Sequence, residues 1–317
     1  MAKFTPYSEQ KELHTDAPYR ASILTNPANL RKALADAQAD HNKILLGYAH
    51  GIPSTFVTKL IASRKPDFIW IDVEHGMFNR LELQDASTIH VAQHHSEGRS
   101  MVIVRIPKDD PLSITTALDA GAAGIIVPHC ESAEEVERYK KEIYYPPMGH
   151  RSFSPWTFTP GLTTSLYPND PFSVANSNNH ICLIPQIESV KGIENAEAIA
   201  AVPGISALMF GIGDFMIDAG IDLSKGLGGE PDPVLNDSLG KFGAAAAKNN
   251  LPIFGGAMSV DMIPMLIQSG YRAIAVQFDV WGFTKMVDAA LVSGRQYAKE
   301  FAEKNGKGVP NGQGKPE

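Results

Sequence analysis

Ionisable side chains stand where several short apolar runs of this sequence end. Carboxylates bind hard cations, an arginine pairs with oxyanions, and a histidine transfers protons near neutral pH. Together these residue types predict a site that binds a divalent cation and an oxo acid and moves a proton. The candidates are Asp72, His75, Arg105, Glu188 and Asp214.

Glu188 and Asp214 are the candidate metal ligands. Each follows one of two consecutive apolar runs, and neighbouring strands of a barrel lie about 4.8 Å apart, so both carboxylates can bind one cation. Two protein carboxylates suit Mg²⁺, with Mn²⁺ or Co²⁺ as alternatives, and leave positions for water and a bidentate 2-oxo acid. The backbone amides of Gly213 and Asp214 would receive a carboxylate. The alternative is structural, with Glu188 capping a helix and Asp214 in a turn.

Arg105 and His75 are the candidate catalytic side chains. The planar guanidinium of Arg105 fits a substrate carboxylate or a developing enolate oxygen, and the alternative is an ion pair with an acidic neighbour. His75 is the candidate general base, with Asp72 and Glu74 beside it and its tautomer fixed by a carboxylate, and the alternative is a hydrogen-bonded framework histidine. His129 follows the fourth run, and its type alone does not decide between catalysis and structure.

The elements that must position these residues alternate between short apolar runs and amphipathic segments. Runs that are apolar on both sides are typical of strands buried in a parallel sheet. Eight such strands separated by helices predict an α/β fold, the (β/α)8 TIM barrel, which carries catalysis at its carboxyl strand ends. A doubly wound sheet is the alternative, but no Gly-rich nucleotide loop follows the first run. The predicted strands are Ile44–Tyr48, Phe68–Asp72, Met101–Arg105, Gly124–Pro128, Cys182–Ile187, Ala207–Phe210, Pro252–Gly255 and Ala273–Phe278.

Amphipathic segments follow most of these runs and predict the helices of the barrel. Ser132 followed by Glu135 predicts a capping box at the start of one of them. The predicted helices are Arg80–His95, Ser132–Ile143, Asn195–Ala201, Val234–Asn249 and Phe283–Lys304.

Composition bounds the class of protein. The chain has 317 residues, with 28 Lys and Arg against 35 Asp and Glu, and the net charge of −7 argues against a nucleic-acid partner. No apolar stretch is long enough to span a membrane, and two cysteines cannot make a disulfide framework, so a cytoplasmic location is expected. We expect residues 1–27 to form an extension, 28–304 a single barrel domain, and 305–317 a disordered tail.

Seven motifs of this sequence resemble, in order, those of the HpcH/HpaI aldolase/citrate lyase family. The resemblance covers about residues 40 to 300, and the joint order of the motifs makes it specific. The motifs are Asp72-Val-Glu-His75-Gly, Val104-Arg105-Ile-Pro, Leu118-Asp119-Ala-Gly-Ala, Gly124-Ile-Ile-Val-Pro128, Tyr145-Pro-Pro-Met-Gly-His-Arg151, Gln186-Ile-Glu188, and Val202-Pro-Gly-Ile-Ser-Ala-Leu-Met-Phe-Gly211 with Asp214.

The resemblance implies roles for individual residues. Glu188 and Asp214 are similar to metal ligands, and Arg105 to an arginine that steadies the substrate carbonyl and enolate. His75 resembles the acid/base, and Gln186 a polar residue on the substrate side. Asp119 is similar to an acidic residue that reaches the site of a neighbouring subunit and supports its histidine.

The resemblance also implies an activity and an assembly. It implies a divalent-metal-dependent carbon–carbon lyase that works through a pyruvate enolate, by aldol cleavage or condensation of 2-oxo acids or by oxaloacetate decarboxylation. It implies a homo-oligomer, a hexamer built as a trimer of dimers, in which the last helix is exchanged between subunits. The alternatives are a citrate-lyase-like enzyme acting on CoA thioesters and a non-catalytic barrel that binds an acid.

One position distinguishes this chain from the bacterial members of the family, which usually carry an apolar residue where it has His129. His129 and Trp70 together resemble a fungal branch that decarboxylates oxaloacetate and adds the enolate to a 2-pyrone. A pyrone-contacting tyrosine of that branch corresponds to Phe172, which lacks the hydroxyl group. We therefore expect Trp70 and Phe172 to bind substrate, without predicting the pyrone reaction.

Overall fold

Eight parallel strands close into a barrel in this computed structural model, which confirms the predicted (β/α)8 fold. The structure describes residues 28–76, 78, 87–155, 157–158, 173–223 and 232–305. Each strand pairs with the next in the chain, and the last pairs with the first. The predicted strands agree with the observed ones to within one or two residues at either end. The strands are β1 (Leu45–His50), β2 (Phe68–Asp72), β3 (Met101–Arg105), β4 (Gly124–Val127), β5 (Cys182–Ile187), β6 (Leu208–Phe210), β7 (Ile253–Gly256) and β8 (Tyr271–Phe278).

Helices precede β1 and lie between the strands. Several begin at a side chain that accepts a backbone N–H of the first turn, as Asp110 does from Ser113 at 3.3 Å. The predicted helix Arg80–His95 is described from Ser87 onward, because residues 79–86 lie outside the described part of the chain. The helices are α1 (Leu30–Ala39), α2 (Thr55–Ala62), α3 (Ser87–His95), α4 (Pro111–Asp119), α5 (Ala133–Ile143), α6 (Val190–Glu194), α7 (Ala196–Ala200), α8 (Ile212–Asp218), α9 (Pro233–Lys248), α10 (Ile263–Gln268) and α11 (Asp279–Lys304).

The capping box predicted at Ser132 is half confirmed. The Ser132 hydroxyl accepts the N–H of Glu135 at 3.2 Å. The Glu135 carboxylate accepts the N–H of Glu131, at 3.0 Å, rather than that of Ser132. The return hydrogen bond is therefore made one residue before the cap.

Strand alternation divides the apolar side chains into an inner and an outer core. Phe68, Trp70 and Ile103 belong to the cluster inside the barrel, whereas Ile69 and Val102 belong to the cluster between strands and helices. Helix α1 covers the amino end of the barrel. A Cβ added to Gly124, the first residue of β4, would lie 2.8 Å from a methyl group of Leu30. The open edge of the barrel is therefore its carboxyl end. The side chains that follow the inner apolar residues along each strand form this edge.

Helix α11 belongs to a second unit that begins at Asp279. It exposes large apolar side chains, among them Phe283, Met286 and Phe301. The chain thus divides after Phe278, and the single domain 28–304 stays a prediction. Residues 1–27 and 306–317 lie outside the described chain. Within the part that is described, no helix combines the length and apolarity needed to cross a membrane.

Candidate active site

Asp72 and Arg105 form a bidentate ion pair at the carboxyl ends of β2 and β3. The two residues are in register on neighbouring strands. Arg105 donates from Nε to Asp72 Oδ1 at 2.9 Å and from Nη2 to Oδ2 at 2.5 Å. Arg105 is 9% exposed, and its guanidinium lies 5.4 Å from the ring centroid of Trp70. Burial opposes its charge, but the hydrogen bonds and charge of Asp72 and the charge of Glu74 outweigh burial, so the pKa of Arg105 is raised.

A chain of polar contacts connects Arg105 to Glu188. Arg105 Nη1 lies 3.5 Å from Gln186 Oε1, and the Gln186 amide donates to Glu188 Oε2. On the other side, the backbone N–H of His129 donates to Glu188 Oε1 at 2.7 Å. Both carboxylate oxygens of Glu188, which is 3% exposed, are thus held by donors from β5 and from the loop after β4. These two donors fix the orientation of the carboxylate.

Glu188 is electrostatically suited to a bound cation. Burial and the carboxylate of Asp214 raise the pKa of Glu188 to about 8, against the opposing effects of the His129 N–H and Arg105. Asp214 lies in the first turn of α8, directly after β6. The N-cap of α8 is Gly211, and a Cβ there would lie 2.1 Å from Glu188 Oε2. Only glycine lets the turn that carries Asp214 approach Glu188 so closely.

The donor set fits a hard divalent cation. Glu74 is affected by the charges of Asp72 and Asp214, and Glu188 by those of Asp214 and Glu74. Arg105 acts on Asp72, Glu74 and Glu188. Among the residues that the structure describes, no three His, Cys, Asp or Glu side chains are grouped to hold a metal. Two carboxylate ligands suit Mg²⁺, which keeps several waters, better than Zn²⁺, which takes three or four protein ligands.

His75 lies in the bend after β2, beside this cluster. Its side chain is 64% exposed, and its Nε2 lies 3.8 Å from Oε2 of Glu74. Asp72, the partner predicted for this imidazole, is instead occupied by Arg105 and by the backbone N–H groups of Glu74 and His75, at 3.2 and 3.3 Å. Asp72 thus holds Arg105 in this structure, and its predicted support of His75 stays a prediction.

Glu74 lies beside His75, as expected from the sequence, and it also contacts Arg105, which the sequence analysis did not predict. Its Oε2 lies 3.4 Å from Arg105 Nε, and burial raises the pKa of Glu74 although Arg105 lowers it. A signal for it was present, because residues two apart on a strand point to the same face, and Asp72 already pointed inward. The motif Asp72-Val-Glu-His75 therefore brings two carboxylates to one arginine.

Other predicted residues lie at or near the site with different contacts. The His129 ring is directed to Glu131, with Nε2 3.7 Å from Oε1, so His129 meets Glu188 through its backbone. Trp70 is buried, and its indole N–H has no hydrogen-bond partner among the described residues. Gly213 is the second residue of α8, and a Cβ there would meet nothing within 4 Å. Phe172 lies outside the described residues.

Asp119 is not brought to this site within the chain. It ends α4, the helix that leads into the amino end of β4, so it lies toward the opposite edge of the barrel. Its Oδ1 accepts Arg151 Nη2 at 2.8 Å. The guanidinium of Arg151 lies 4.8 Å from the ring centroid of Tyr145. The role of Asp119 in a neighbouring subunit stays a prediction.

Comparisons with known proteins identify the family of this chain. The family model for HpcH/HpaI aldolase/citrate lyase matches residues 51–285. The 4-hydroxy-2-oxovalerate aldolase of Novosphingobium aromaticivorans is 28% identical over 265 residues, which cover 83% of this chain and 94% of that one. The crystal structure of macrophomate synthase is 65% identical, with a TM-score of 0.84 over 93% of this chain and 99% of that chain. The chain belongs to the HpcH/HpaI aldolase/citrate lyase family and is a carbon–carbon lyase.

Proposed function

We propose that this lyase forms a pyruvate enolate from a 2-oxo acid, with a divalent cation held by Glu188 and Asp214. The observation that carries the proposal is the contact chain from Arg105 through Gln186 to Glu188. This contact chain supports the proposal because the Arg105 guanidinium, which would stabilise an oxyanion, lies near Glu188, whose repulsion with Asp214 a bound cation would relieve. Mg²⁺ is the first choice of metal, and Mn²⁺ or Co²⁺ are alternatives with the same oxygen preference.

Each residue of the proposed site has its own role in carbon–carbon cleavage. A bound divalent cation would polarise the 2-oxo group. Arg105, which Asp72 holds in place, stabilises the negative charge that develops on the enolate oxygen. Gln186 and the backbone amides of Gly213 and Asp214 bind and orient the acid.

Two cleavage routes lead to the same enolate and differ in their need for a base. When oxaloacetate loses CO₂, the electrons of the breaking bond pass to the 2-oxo oxygen, and no proton is removed. In aldol cleavage a base removes the hydroxyl proton of the substrate, and His75 is that base. His75→Ala should therefore lower aldol cleavage more than oxaloacetate decarboxylation.

A 2-pyrone is one candidate for the electrophile that captures the enolate. The likeness to macrophomate synthase, 65% identical over 93% of the chain, favours it. Phe172, the residue that argues against it, lies outside the described residues. The experiment measures product formation from oxaloacetate and a 2-pyrone in the wild-type protein and in Phe172→Tyr. Product from the wild type would favour a 2-pyrone as the electrophile, and product from Phe172→Tyr alone would mean that the missing hydroxyl group prevents the reaction.

We propose that the protein acts on small molecules as a homo-oligomer. The apolar side chains of α11, such as Phe283 and Phe301, are exposed, and the helix alone does not bury them. Exposed apolar surface of this kind is typical of a protein–protein contact. A second copy of the chain that exchanges this helix would cover them, and three such dimers would make a hexamer. Sedimentation equilibrium measures the mass directly, and a monomer at micromolar concentration would contradict the proposal.

The central experiment follows oxaloacetate loss and pyruvate formation after metal removal. Mg²⁺ or Mn²⁺ should restore turnover above the rate with free metal alone, and Glu188→Gln should abolish the restoration. Glu197→Gln is the matched control, because its carboxylate is 68% exposed and pairs with Lys248 on the surface. If neither metal restores turnover, or if both variants behave alike, the proposed function is wrong.

A further inference from the structure

Lys108 contacts the backbone of the loop that holds Glu188. It follows β3, three residues after Arg105. Its Nζ donates to the carbonyl oxygen of His129 at 2.8 Å, and the Lys108 side chain is one-third exposed. A lysine after the third strand is thus bound to a backbone atom that follows the fourth strand.

Glu135 holds the ammonium group of Lys108 in this place. One carboxylate oxygen, Oε1, lies 3.0 Å from Lys108 Nζ. The other, Oε2, accepts the backbone N–H of Glu131 at 3.0 Å. The same carboxylate therefore binds both the lysine and the loop whose carbonyl group the lysine binds.

The left-handed backbone of His129 depends on contacts of this kind. Its φ is +51°, which is unfavourable for a residue with a Cβ, so neighbouring contacts must hold it. The peptide group between His129 and Cys130 is held at both ends, because its carbonyl accepts from Lys108 and its N–H donates to the Gln186 carbonyl at 2.9 Å. The angle φ sets the relation between this peptide group and the preceding one, whose N–H donates to Glu188 at 2.7 Å. A change at the first peptide group therefore reaches the carboxylate.

We propose that Lys108 is a positioning residue for the candidate metal ligand Glu188, which it holds through the backbone of His129. Lysine fixes the His129 carbonyl, the left-handed turn directs the N–H to Glu188, and the N–H orients the carboxylate. A ligand that is already oriented binds a cation more tightly, because less freedom is lost on binding. The inference rests on the proposed function, in which Glu188 binds the cation.

The sign of the change in metal affinity separates positioning from charge. Lys108 is a cation near a cation site, so its charge alone opposes the binding of Mg²⁺. If charge were its only contribution, removal of Lys108 would tighten Mg²⁺ binding. If Lys108 positions Glu188, its removal weakens Mg²⁺ binding.

Lys108→Met removes the donor and the charge and keeps an unbranched side chain. Calorimetric titration of the metal-free protein should show a Kd for Mg²⁺ raised about tenfold, since partners that orient metal ligands typically contribute roughly 10–100-fold. Lys108→Arg keeps a donor for the carbonyl and should stay within about threefold of the wild type. An unchanged or lower Kd in Lys108→Met, or arginine no better than methionine, would overturn the proposal. Urea denaturation verifies folding, and Lys108→Gln, too short to reach the carbonyl, replaces methionine if that variant does not fold.

The matched control is Lys191→Met. Lys191 Nζ lies 3.1 Å from Glu131 Oε2 at the same edge of the barrel, and within the described chain it donates to no backbone carbonyl. This variant removes the same charge without removing a contact of the His129 backbone. Its Kd for Mg²⁺ should be unchanged or lower. Equal weakening in Lys108→Met and Lys191→Met would contradict a specific role for Lys108.

The backbone amide of His129 provides a readout that does not involve the metal. An N–H that donates to a carboxylate has a proton resonance shifted downfield, and histidine-selective nitrogen-15 labelling with His129→Gly assigns this signal. In metal-free Lys108→Met the resonance should move upfield, whereas in Lys191→Met it should keep its wild-type position. An unmoved resonance in Lys108→Met would show that the lysine does not hold this N–H and would overturn the proposal.

Failure of this inference and failure of the proposed function give different results. If the wild type binds Mg²⁺, Glu188→Gln does not, and Lys108→Met binds as the wild type does, the positioning role alone is wrong. If the wild-type protein binds no Mg²⁺ and shows no metal-restored decarboxylation, the proposed function is wrong, and the positioning role is wrong with it.

Discussion

The backbone N–H of His129 donates a 2.7 Å hydrogen bond to the carboxylate of Glu188, although His129 has a left-handed backbone with φ of +51°. This conformation is unfavourable for residues other than glycine by roughly 1–2 kcal/mol. The hydrogen bond is made by the main chain, and the imidazole is directed to Glu131 instead. His129 thus holds the predicted metal ligand Glu188 through its backbone N–H, whereas its imidazole ring lies apart from the Glu188 carboxylate.

His129→Gly tests whether the ring takes part in catalysis. Glycine keeps the N–H and relieves the left-handed strain, so the free energy of unfolding should stay within about 1 kcal/mol of the wild type. Metal-restored oxaloacetate decarboxylation should remain within about threefold, because the donor to Glu188 is retained. Urea denaturation and initial rates are the measurements. A loss of a hundredfold or so in rate, with normal stability, would assign the ring the catalytic role that the sequence left undecided.

Arg105→Lys tests whether turnover requires the planar guanidinium group of Arg105. Lysine keeps the charge, but it cannot make two parallel hydrogen bonds to Asp72 while offering a third donor to the substrate. We expect turnover to fall about a hundredfold, with a smaller change in stability. Arg138→Lys is the control, because Arg138 forms an exposed ion pair with Asp109 and should tolerate the change. Equal rates in the two variants would show that Arg105 acts only as a point charge.

The barrel and the edge that carries the site followed from the sequence for a physical reason. Runs such as Ile69–Ile71 and Val102–Val104 are buried on both faces, which is the pattern of a parallel barrel strand. Parallel strands bring their carboxyl ends to one edge, so Asp72, Arg105 and Glu188 were predicted to meet there. The residue types and their positions at strand ends were enough to predict that these side chains meet at one edge.

The partners of these side chains could not be predicted from residue types. Asp72 and Glu74 are two candidates for the same guanidinium, and Asp72 takes the bidentate contact because it is in register with Arg105. A positive φ is expected at glycine or asparagine, so residue type did not reveal the backbone role of His129. The role predicted for Asp119 concerns the site of a neighbouring subunit, so it does not follow from the order of strand ends along one chain.

Titration of Glu188 should make the stability of the metal-free protein depend on pH. Its pKa is about 8 in the folded chain, against an ordinary value of 4.5. Between these values the folded carboxyl keeps its proton while the unfolded one loses it, so the free energy of unfolding falls as pH rises from about 4.5 to about 8. The slope from this group is at most about 1.4 kcal/mol per pH unit.

The comparison that isolates this slope uses Glu188→Gln. The glutamine side chain does not titrate, so the stability difference between wild type and variant should shift against the wild type as pH rises from 5 toward about 8. Both proteins are unfolded in urea at one protein concentration and without metal. Mg²⁺ at pH 8 should recover stability in the wild type alone, because binding displaces the proton. Parallel pH curves for the two proteins would contradict the raised pKa.

Gly211 and Gly213 offer a matched pair of substitutions in one turn. A Cβ at residue 211 would lie 2.1 Å from Glu188 Oε2 and 2.7 Å from Gln186 Nε2, whereas at residue 213 it would meet nothing within 4 Å. Gly211→Ala should therefore displace the Glu188 carboxylate, weaken Mg²⁺ binding by at least about tenfold and destabilise the fold by about 1–3 kcal/mol. Gly213→Ala lies in α8 and should instead stabilise it by up to about 1 kcal/mol.

Calorimetric titration with Mg²⁺ and thermal unfolding separate the two glycines. If Gly213→Ala keeps Mg²⁺ affinity but raises the KM for oxaloacetate, the substrate carboxylate lies against the backbone of residue 213, as the sequence predicted. If it changes neither quantity, the amides of this turn do not bind the acid, and Arg105 and Gln186 must orient it. Equal Mg²⁺ affinity in the two variants would mean that the Glu188 carboxylate can yield to a methyl group, against the close packing seen at Gly211.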